Sequence, residues 1–348
     1  MIHGLAFYYT LRCNATCGHC GVWSSPDRSE TMDLGRAEGY LQSLAQLPAR
    51  PDRAVVFLGG EPLLFLEEIC TLIDRATRLG FQTQVSTNGF WASTAERTRA
   101  TVERLQRAGL THLALSASPY HTEFVDPANL GRALAAARST GIIRKLQIIT
   151  HRAGPAESEV LEQIGLPAEE VQDEVVYQAH RRDPDFDALA HVFVRRTPAA
   201  PFGRGAFLNG HVERFPLHEV ESIPCYMVRR FPLLYPNGDL YSCCCVAGFY
   251  EPYRIGNLDR EPLADLERRM ESNPVFEAIA KVGPVDLARF SGFEEKTSPG
   301  ARFSHMCHVC REMMTGTDPA ELEEKARGRL LLYQIAGGPE VTVYDELL

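Results

Sequence analysis

The first two-thirds of the chain switches repeatedly between short apolar runs and longer segments with apolar residues every three or four positions. That alternation constrains the fold most, because strands separated by helices pair in parallel and bury both faces of their sheet. Ile2–Thr10, Ala54–Leu58, Phe81–Val85, Thr111–Ala117 and Lys145–Thr150 read as strands. Leu34–Leu47, Leu66–Leu79, Thr94–Ala108, Asn129–Ser139 and Glu157–Ile164 read as helices, with Gly80, Gly109 and Gly141 as stops. Val175–Gln178 and His191–Val194 compete for a sixth strand. Six units in roughly 200 residues imply an α/β fold, a partial (β/α)6 TIM-like barrel, although periodicity alone also admits a doubly wound sheet.

Proline and glycine punctuate the chain after about residue 197, which divides it into a barrel over residues 1–210 and a smaller C-terminal domain over 211–348. A final helix starts at Asp318, with Pro319 in its first turn and Glu321 at the capping-box position. The 348 residues carry 36 Lys and Arg against 45 Asp and Glu, a net charge of -9, which argues against nucleic acid as the main partner. No apolar run has the length of a membrane span, and the start lacks the basic region of a secretion signal. A cytoplasmic protein is expected.

Ten cysteines are the unusual feature of composition. A disulfide framework belongs to small secreted chains, so these read as thiolates for metal in a reducing compartment. Cys13, Cys17 and Cys20 have gaps of three and two residues, short enough for one loop to aim three sulfurs at one centre. Three cysteines hold three irons of a four-iron cluster and leave the fourth open. Structural zinc wants four ligands, and His19 is the available fourth, but it adjoins Cys20, and adjacent residues do not easily converge on one small ion.

Cys13-Asn14-Ala15-Thr16-Cys17-Gly18-His19-Cys20 after a first strand resembles the cluster loop of the radical S-adenosylmethionine (SAM) superfamily. Gly59-Gly60-Glu61-Pro62 after the second strand resembles its GGE motif, and Ser86-Thr87-Asn88-Gly89 follows the third strand in the same way. The resemblance covers roughly residues 3–210 and implies a [4Fe-4S] cluster whose free iron chelates SAM. One electron then cleaves SAM to methionine and a 5′-deoxyadenosyl radical, which abstracts a hydrogen from substrate. Gly59 and Gly60 permit close backbone approach to the ligand. Glu61 offers a carboxylate to the SAM ammonium, and Ser86, Asn88 and Ser116 offer polar groups to its carboxylate or ribose. His19 stands where the family often has an aromatic residue near the adenine. Arg204, in Gly203-Arg204-Gly205-Ala206, resembles a segment near SAM that follows the sixth strand.

Cys225, Cys243, Cys307 and Cys310 can close a full coordination shell. Tyr235-Pro236-Asn237-Gly238 before Cys243 reads as a hairpin turn, and Gly256-Asn257-Leu258 follows. The segment resembles the SPASM or twitch extensions of radical SAM enzymes, which implies one auxiliary [4Fe-4S] cluster. Structural zinc competes there, since Cys-x2-Cys is common to zinc sites. The register within Cys243-Cys244-Cys245 stays open; Cys244 and Cys245 read as small buried residues, and so does Cys70.

Tyr120 and His121, after the fourth strand, lead the candidates for proton chemistry, with His151 and His180 behind them. The resemblance implies maturation of a ribosomally made peptide by crosslinking, epimerisation or oxidation. The alternatives are dehydrogenation or rearrangement of a small metabolite such as an aminocyclitol or sugar, and a non-catalytic zinc-binding scaffold. A low-potential electron donor such as flavodoxin or ferredoxin is expected. With no room before Cys13 for a leader-binding domain, a separate leader-peptide-binding protein is a further expected partner.

Overall fold

A computed structural model describes residues 1–338 except 51, 151–156, 209–211, 244, 246–248 and 299. In chain order its elements are β1 (Gly4–Thr10), α1 (Leu34–Ala45), β2 (Ala54–Gly59), α2 (Leu66–Arg78), β3 (Gln82–Thr87), α3 (Ala95–Ala108), β4 (His112–Ser116), α4 (Pro119–Thr122), α5 (Pro127–Ala137), β5 (Ile143–Thr150), α6 (Glu157–Ile164), β6 (Val171–Asp173), α7 (Glu174–His180) and β7 (Val192–Pro198). The C-terminal part adds β8 (Leu233–Leu234), β9 (Asp239–Tyr241), β10 (Arg254–Asn257), α8 (Leu263–Glu271), α9 (Pro274–Lys281), α10 (Pro284–Phe290), α11 (Phe293–Lys296), α12 (Met306–Gly316) and α13 (Pro319–Ile335).

The described strands form one sheet in the order β10-β9-β8-β1-β2-β3-β4-β5-β7-β6. Strands β1 to β5 and β7 pair in parallel, each with the next, which gives the open six-unit barrel expected from the alternation. β1 is buried at every position, as a central parallel strand must be. Leu5 and Phe7 pack there with Phe57 of β2, and Ile69, Leu72 and Ile73 of α2 join the same core. Every parallel strand ends on the same side of the sheet, so the loops after β1, β2, β3, β4 and β7 meet at one mouth.

The sixth strand is settled by one-sided burial. Val175–Gln178, read as a rival strand, lies in α7. Asp173 caps that helix by accepting from Val175 N, and Tyr177 is buried while Val175 is exposed. His191–Val194 supplies the strand instead, and β6 adds outside it. Residues 209–211, at the expected domain boundary, lie outside the described residues.

The Asn-Gly turn forms as expected, joining β8 to β9 as an antiparallel pair. β8 then lies parallel to β1 through Ala6↔Leu233 and Phe7↔Leu234, so the C-terminal segment extends the barrel sheet. Asp259 fastens this extension to α1, accepting from Arg36 and from Tyr40 Oη (2.5 Å). Asp318 caps α13 through Ala320 N and Glu321 N, also as expected. Among the described residues no helix is long and apolar enough to cross a membrane.

Gly238 sits at φ +86°, and a Cβ there would lie 2.7 Å from Asp259 Oδ2 and 2.9 Å from Tyr40 Oη. Gly238→Ala should therefore cost about 1–3 kcal/mol. A lower urea midpoint checks this; an unchanged midpoint contradicts the packing of hairpin on α1.

Candidate active site

The cysteine loop leaves β1 at Thr10 and is closed on itself by backbone bonds. Leu11 N donates to Glu30 O (2.8 Å), Cys13 N to Ser25 O (3.0 Å) and Met32 N to Tyr9 O (2.7 Å). Cys20 N donates to Cys17 O (3.1 Å), a turn that brings those two residues to one side. Cys13 and Cys17 are buried, and burial pushes both thiols up to about 12. Cys20 raises both further, Cys13 adds to the rise of Cys17, and the Arg204 charge opposes it, so all three sulfurs share one neighbourhood with one cation. Buried thiols this hard to ionise surrender their protons when a metal supplies the compensating charge.

Gly59 and Gly60 hold this loop from beneath. Gly60 N donates to Thr10 O (2.7 Å), and Glu61 N to Arg12 O (2.9 Å). A Cβ on Gly59, at φ +144°, would lie 2.2 Å from Thr10 O, and one on Gly60 would lie 2.1 Å from Arg12 O. Close approach to the chain's own cysteine loop therefore by itself requires glycine at both positions.

Glu61, expected to meet a ligand ammonium, is fully buried and gives its carboxylate to the chain. Oε1 accepts from Leu63 N (3.0 Å) and Thr87 Oγ1 (2.7 Å), and Oε2 accepts from Asn88 N (2.8 Å). It caps the short turn begun by the buried Pro62 and ties the end of β2 to the end of β3. Asn88 extends the link: its Nδ2 donates to Asn14 Oδ1 (2.9 Å) and lies 3.9 Å from Cys13 Sγ. Ser86, on β3, accepts from Gln84 Nε2 at 3.5 Å, and Ser116 is the half-buried last residue of β4.

Arg204 grips the same loop from the other side. Its backbone N donates to Cys20 O (2.9 Å), Nε to Cys17 O (2.9 Å) and Nη2 to Ser24 O (2.6 Å), and its guanidinium lies over the Trp23 ring. A Cβ on Gly203 would come within 2.5 Å of Cys20 O and of the Gly21 backbone, so this glycine too is set by contact with the loop. Arg204 therefore fastens the cysteine loop and supplies its positive charge.

His19, Tyr120 and His121 gather at the mouth. The His19 ring lies 5.0 Å from Tyr120 and 4.7 Å from His121. His121 Nδ1 hydrogen-bonds Ser118 Oγ (2.6 Å). Burial, then the neighbouring His19, holds His121 well below its usual range, so it is neutral. Burial raises Tyr120, which keeps its own proton. Ligand atoms of Cys17, His19 and His121 lie within 4.8 Å of one another, so His19 does turn toward a cysteine, Cys17 rather than Cys20. His180 is exposed and packs on Phe186, away from this group, and His151 lies outside the described residues.

Cys225, Cys243, Cys307 and Cys310 line a second, small apolar cavity together with Tyr253, Ile279 and Met306. Cys307 and Cys310 come from adjacent turns of α12. Tyr253 Oη donates to Cys310 Sγ at 3.0 Å. Burial pushes Cys225 up to about 11 and Cys310 up to about 12. Cys245, set aside as a spare residue in the sequence, also belongs to this neighbourhood, because its backbone N donates to Cys243 Sγ at 3.3 Å. Cys244 lies outside the described residues, and Cys70 packs from α2 against the core.

Residues 7–148 match the family model described as the Radical SAM superfamily. Over that stretch, less than half of its length, the chain is similar to the radical SAM superfamily. The match favours an enzyme over the non-catalytic zinc scaffold. The family implies SAM and a four-iron cluster, and the three-thiol loop at the mouth fits a cluster with one open iron. A curated relative, "Putative peptide biosynthesis protein YydG" of Bacillus subtilis (strain 168), is 20% identical over 319 residues, 88% of this chain and 90% of that protein. Among solved structures, BtrN in complex with AdoMet and 2-DOIA is 16% identical, with 81% of this chain and 88% of that one covered at a TM-score of 0.45. Native anSMEcpe with bound AdoMet is 15% identical, with 94% and 98% covered at a TM-score of 0.49.

Thr87 and Asn14 were not singled out in the sequence. Thr87 was legible only as part of a turn, and its hydroxyl is drawn to Glu61 by a contact between neighbouring strands. In this chain, Glu61→Gln must set an amide N–H against at least one of three buried donors. It should lower the stability of the cluster-free protein by about 1–3 kcal/mol, read from the urea midpoint. Burial raises the Glu61 carboxyl to about 7, from 4.5 in the unfolded chain. The unfolded state therefore loses its proton first, and wild-type stability falls relative to Glu61→Gln as pH rises between those values.

Proposed function

We propose that this enzyme cleaves SAM reductively at the barrel mouth and uses the resulting radical to modify a ribosomally made peptide. The observation that carries the reading is the three-cysteine loop gripped from both sides, by Gly59–Glu61 beneath and Arg204 above. A loop so fastened holds three thiolates in place while leaving one iron position of a four-iron cluster open to SAM. The peptide substrate rests on the likeness to the peptide-biosynthesis relative over most of both chains.

Cys13, Cys17 and Cys20 hold the cluster, which when bound supplies the electron that splits SAM into methionine and a 5′-deoxyadenosyl radical. Gly59, Gly60, Glu61 and Pro62 position the loop, with Glu61 acting through Thr87 and Asn88. Asn88, Ser86 and Ser116, at the ends of β3 and β4, offer polar groups toward SAM, and His19 offers a flat ring beside it. His121, neutral and hydrogen-bonded to Ser118, accepts a proton from substrate where the reaction releases one, with Tyr120 packed nearby.

Cys225, Cys243, Cys307 and Cys310 hold one auxiliary four-iron cluster in the C-terminal domain, over 211–348. What supports a shared metal centre is that these four thiols line one small apolar cavity. The reduced thiols suit the cytoplasm, where a flavodoxin or ferredoxin supplies the electron and a separate protein binds the peptide leader.

Anaerobic reconstitution should give brown protein with about eight irons, and 5′-deoxyadenosine on addition of SAM and reductant. Cys13→Ala should abolish 5′-deoxyadenosine formation, whereas Cys310→Ala should lose about four irons and keep SAM cleavage. Retained cleavage in Cys13→Ala refutes the cluster assignment. Arg204→Ala should lower iron retention at the first site, checked by iron release to a chelator.

A further inference from the structure

Apart from its four thiols, the second cavity is lined by Val228, Tyr253, Ile279, Pro284 and Met306. Among these, Tyr253 alone brings a side-chain hydroxyl to an apolar wall. The residue is buried, with 1% of its surface exposed. Its Oη donates to Cys310 Sγ at 3.0 Å, across 57 positions of sequence. Both ends of this contact are pinned by backbone. Tyr253 N donates to Tyr250 O (2.9 Å), and Tyr253 O accepts from Ser242 N (2.9 Å), next to Cys243. Cys310 lies on α12, whose start is capped by His305 Nδ1 accepting from Cys307 N (3.1 Å). A buried tyrosine hydroxyl needs a partner, yet a neutral thiol is a weak acceptor. An ionised acceptor makes a hydrogen bond roughly twice as strong. The pairing therefore suits a Cys310 sulfur that carries negative charge, as a ligand of a cluster does. Cys243 Sγ also receives a donor, the backbone N–H of Cys245 (3.3 Å). Of these two donors, only the tyrosine's can be removed by changing a side chain.

We propose that the Tyr253 O–H donates to the Cys310 thiolate and raises the reduction potential of the cluster held at the second centre. The inference rests on the auxiliary-cluster reading above. Reduction brings in one electron from a low-potential reductant, and part of the added negative charge falls on the ligand sulfurs. A fixed donor to one of them stabilises the reduced state over the oxidised one. The proton stays on the tyrosine oxygen throughout, and no bond forms or breaks. Burial strengthens the effect, because water does not reach the sulfur to replace the missing donor.

The test uses full-length protein carrying Cys13→Ala, Cys17→Ala and Cys20→Ala, so that only the second centre takes iron. Iron content and the electron paramagnetic resonance signal of the reduced cluster are followed in a redox titration against dithionite. Tyr253→Phe keeps the ring and removes the donor, so it should keep the iron of its parent. At fixed potential its reduced-to-oxidised ratio should fall roughly tenfold, a downward shift of ~59 mV for one electron. Replacing Tyr253 by 3-fluorotyrosine, whose hydroxyl is the stronger donor, should move the midpoint upward. An unchanged midpoint in iron-loaded Tyr253→Phe overturns the proposal. If Tyr253→Phe does not hold iron, an unchanged midpoint in the fluorotyrosine protein overturns it instead. A parent that takes zinc and no iron overturns the auxiliary-cluster reading as well, which separates the two failures.

Discussion

The site depends on backbone amides that grip a loop containing three cysteines. Gly60 N and Glu61 N reach the carbonyls of Thr10 and Arg12 from the end of β2, and Arg204 reaches those of Cys17 and Cys20 from beyond β7. Neither approach tolerates a side chain: a Cβ on Gly59, Gly60 or Gly203 would lie within 2.5 Å of the loop's backbone. Carbonyls held this way cannot turn, and the sulfurs attached to the same residues are fixed with them. A cluster-binding loop needs that rigidity, because three thiols come together only at a cost in freedom.

Glu61 shows how the grip is itself secured. A carboxylate with no exposure is expensive unless its lone pairs are used, and here a hydroxyl and two backbone N–H groups use them. The result couples β2, β3 and, through Asn88 and Asn14, the cysteine loop. Burial and hydrogen bonding oppose each other on this one group, and burial wins by enough to bring its carboxyl to about 7. Its position in the chain marked it as a ligand contact; its surroundings also make it a strut.

The two cysteine centres are not independent bodies. β8 extends the barrel sheet beside β1, so the segment that carries Cys225 and Cys243 is hydrogen-bonded to the strand that launches Cys13. Phe202, next to the Gly203–Arg204 grip, is buried against His305 and His308 of the α12 region, with Arg311 over its ring. Packing on one side of residue 203 thus touches the second centre, while hydrogen bonding on the other touches the first.

Much of this was legible in the linear chain, and the limits follow from the kind of information each residue carries. Strand and helix order over residues 2–150 came from periodicity, a local property that burial on one or two faces imposes directly. The Asn237-Gly238 turn and the Asp318 cap were equally local. Val175–Gln178 misled because a short apolar run fits either period, and only the burial of Tyr177 with exposure of Val175 decides for a helix. The three-cysteine loop and the motifs after β2 and β3 were determined by the sequence itself, since covalent spacing limits what such residues can reach. Tertiary structure alone decided that Glu61 faces Thr87, that Arg204 holds carbonyls, and that Tyr253 meets Cys310. Each of these is a contact between atoms brought together by packing, and the direction of a side chain is set by its neighbours in space.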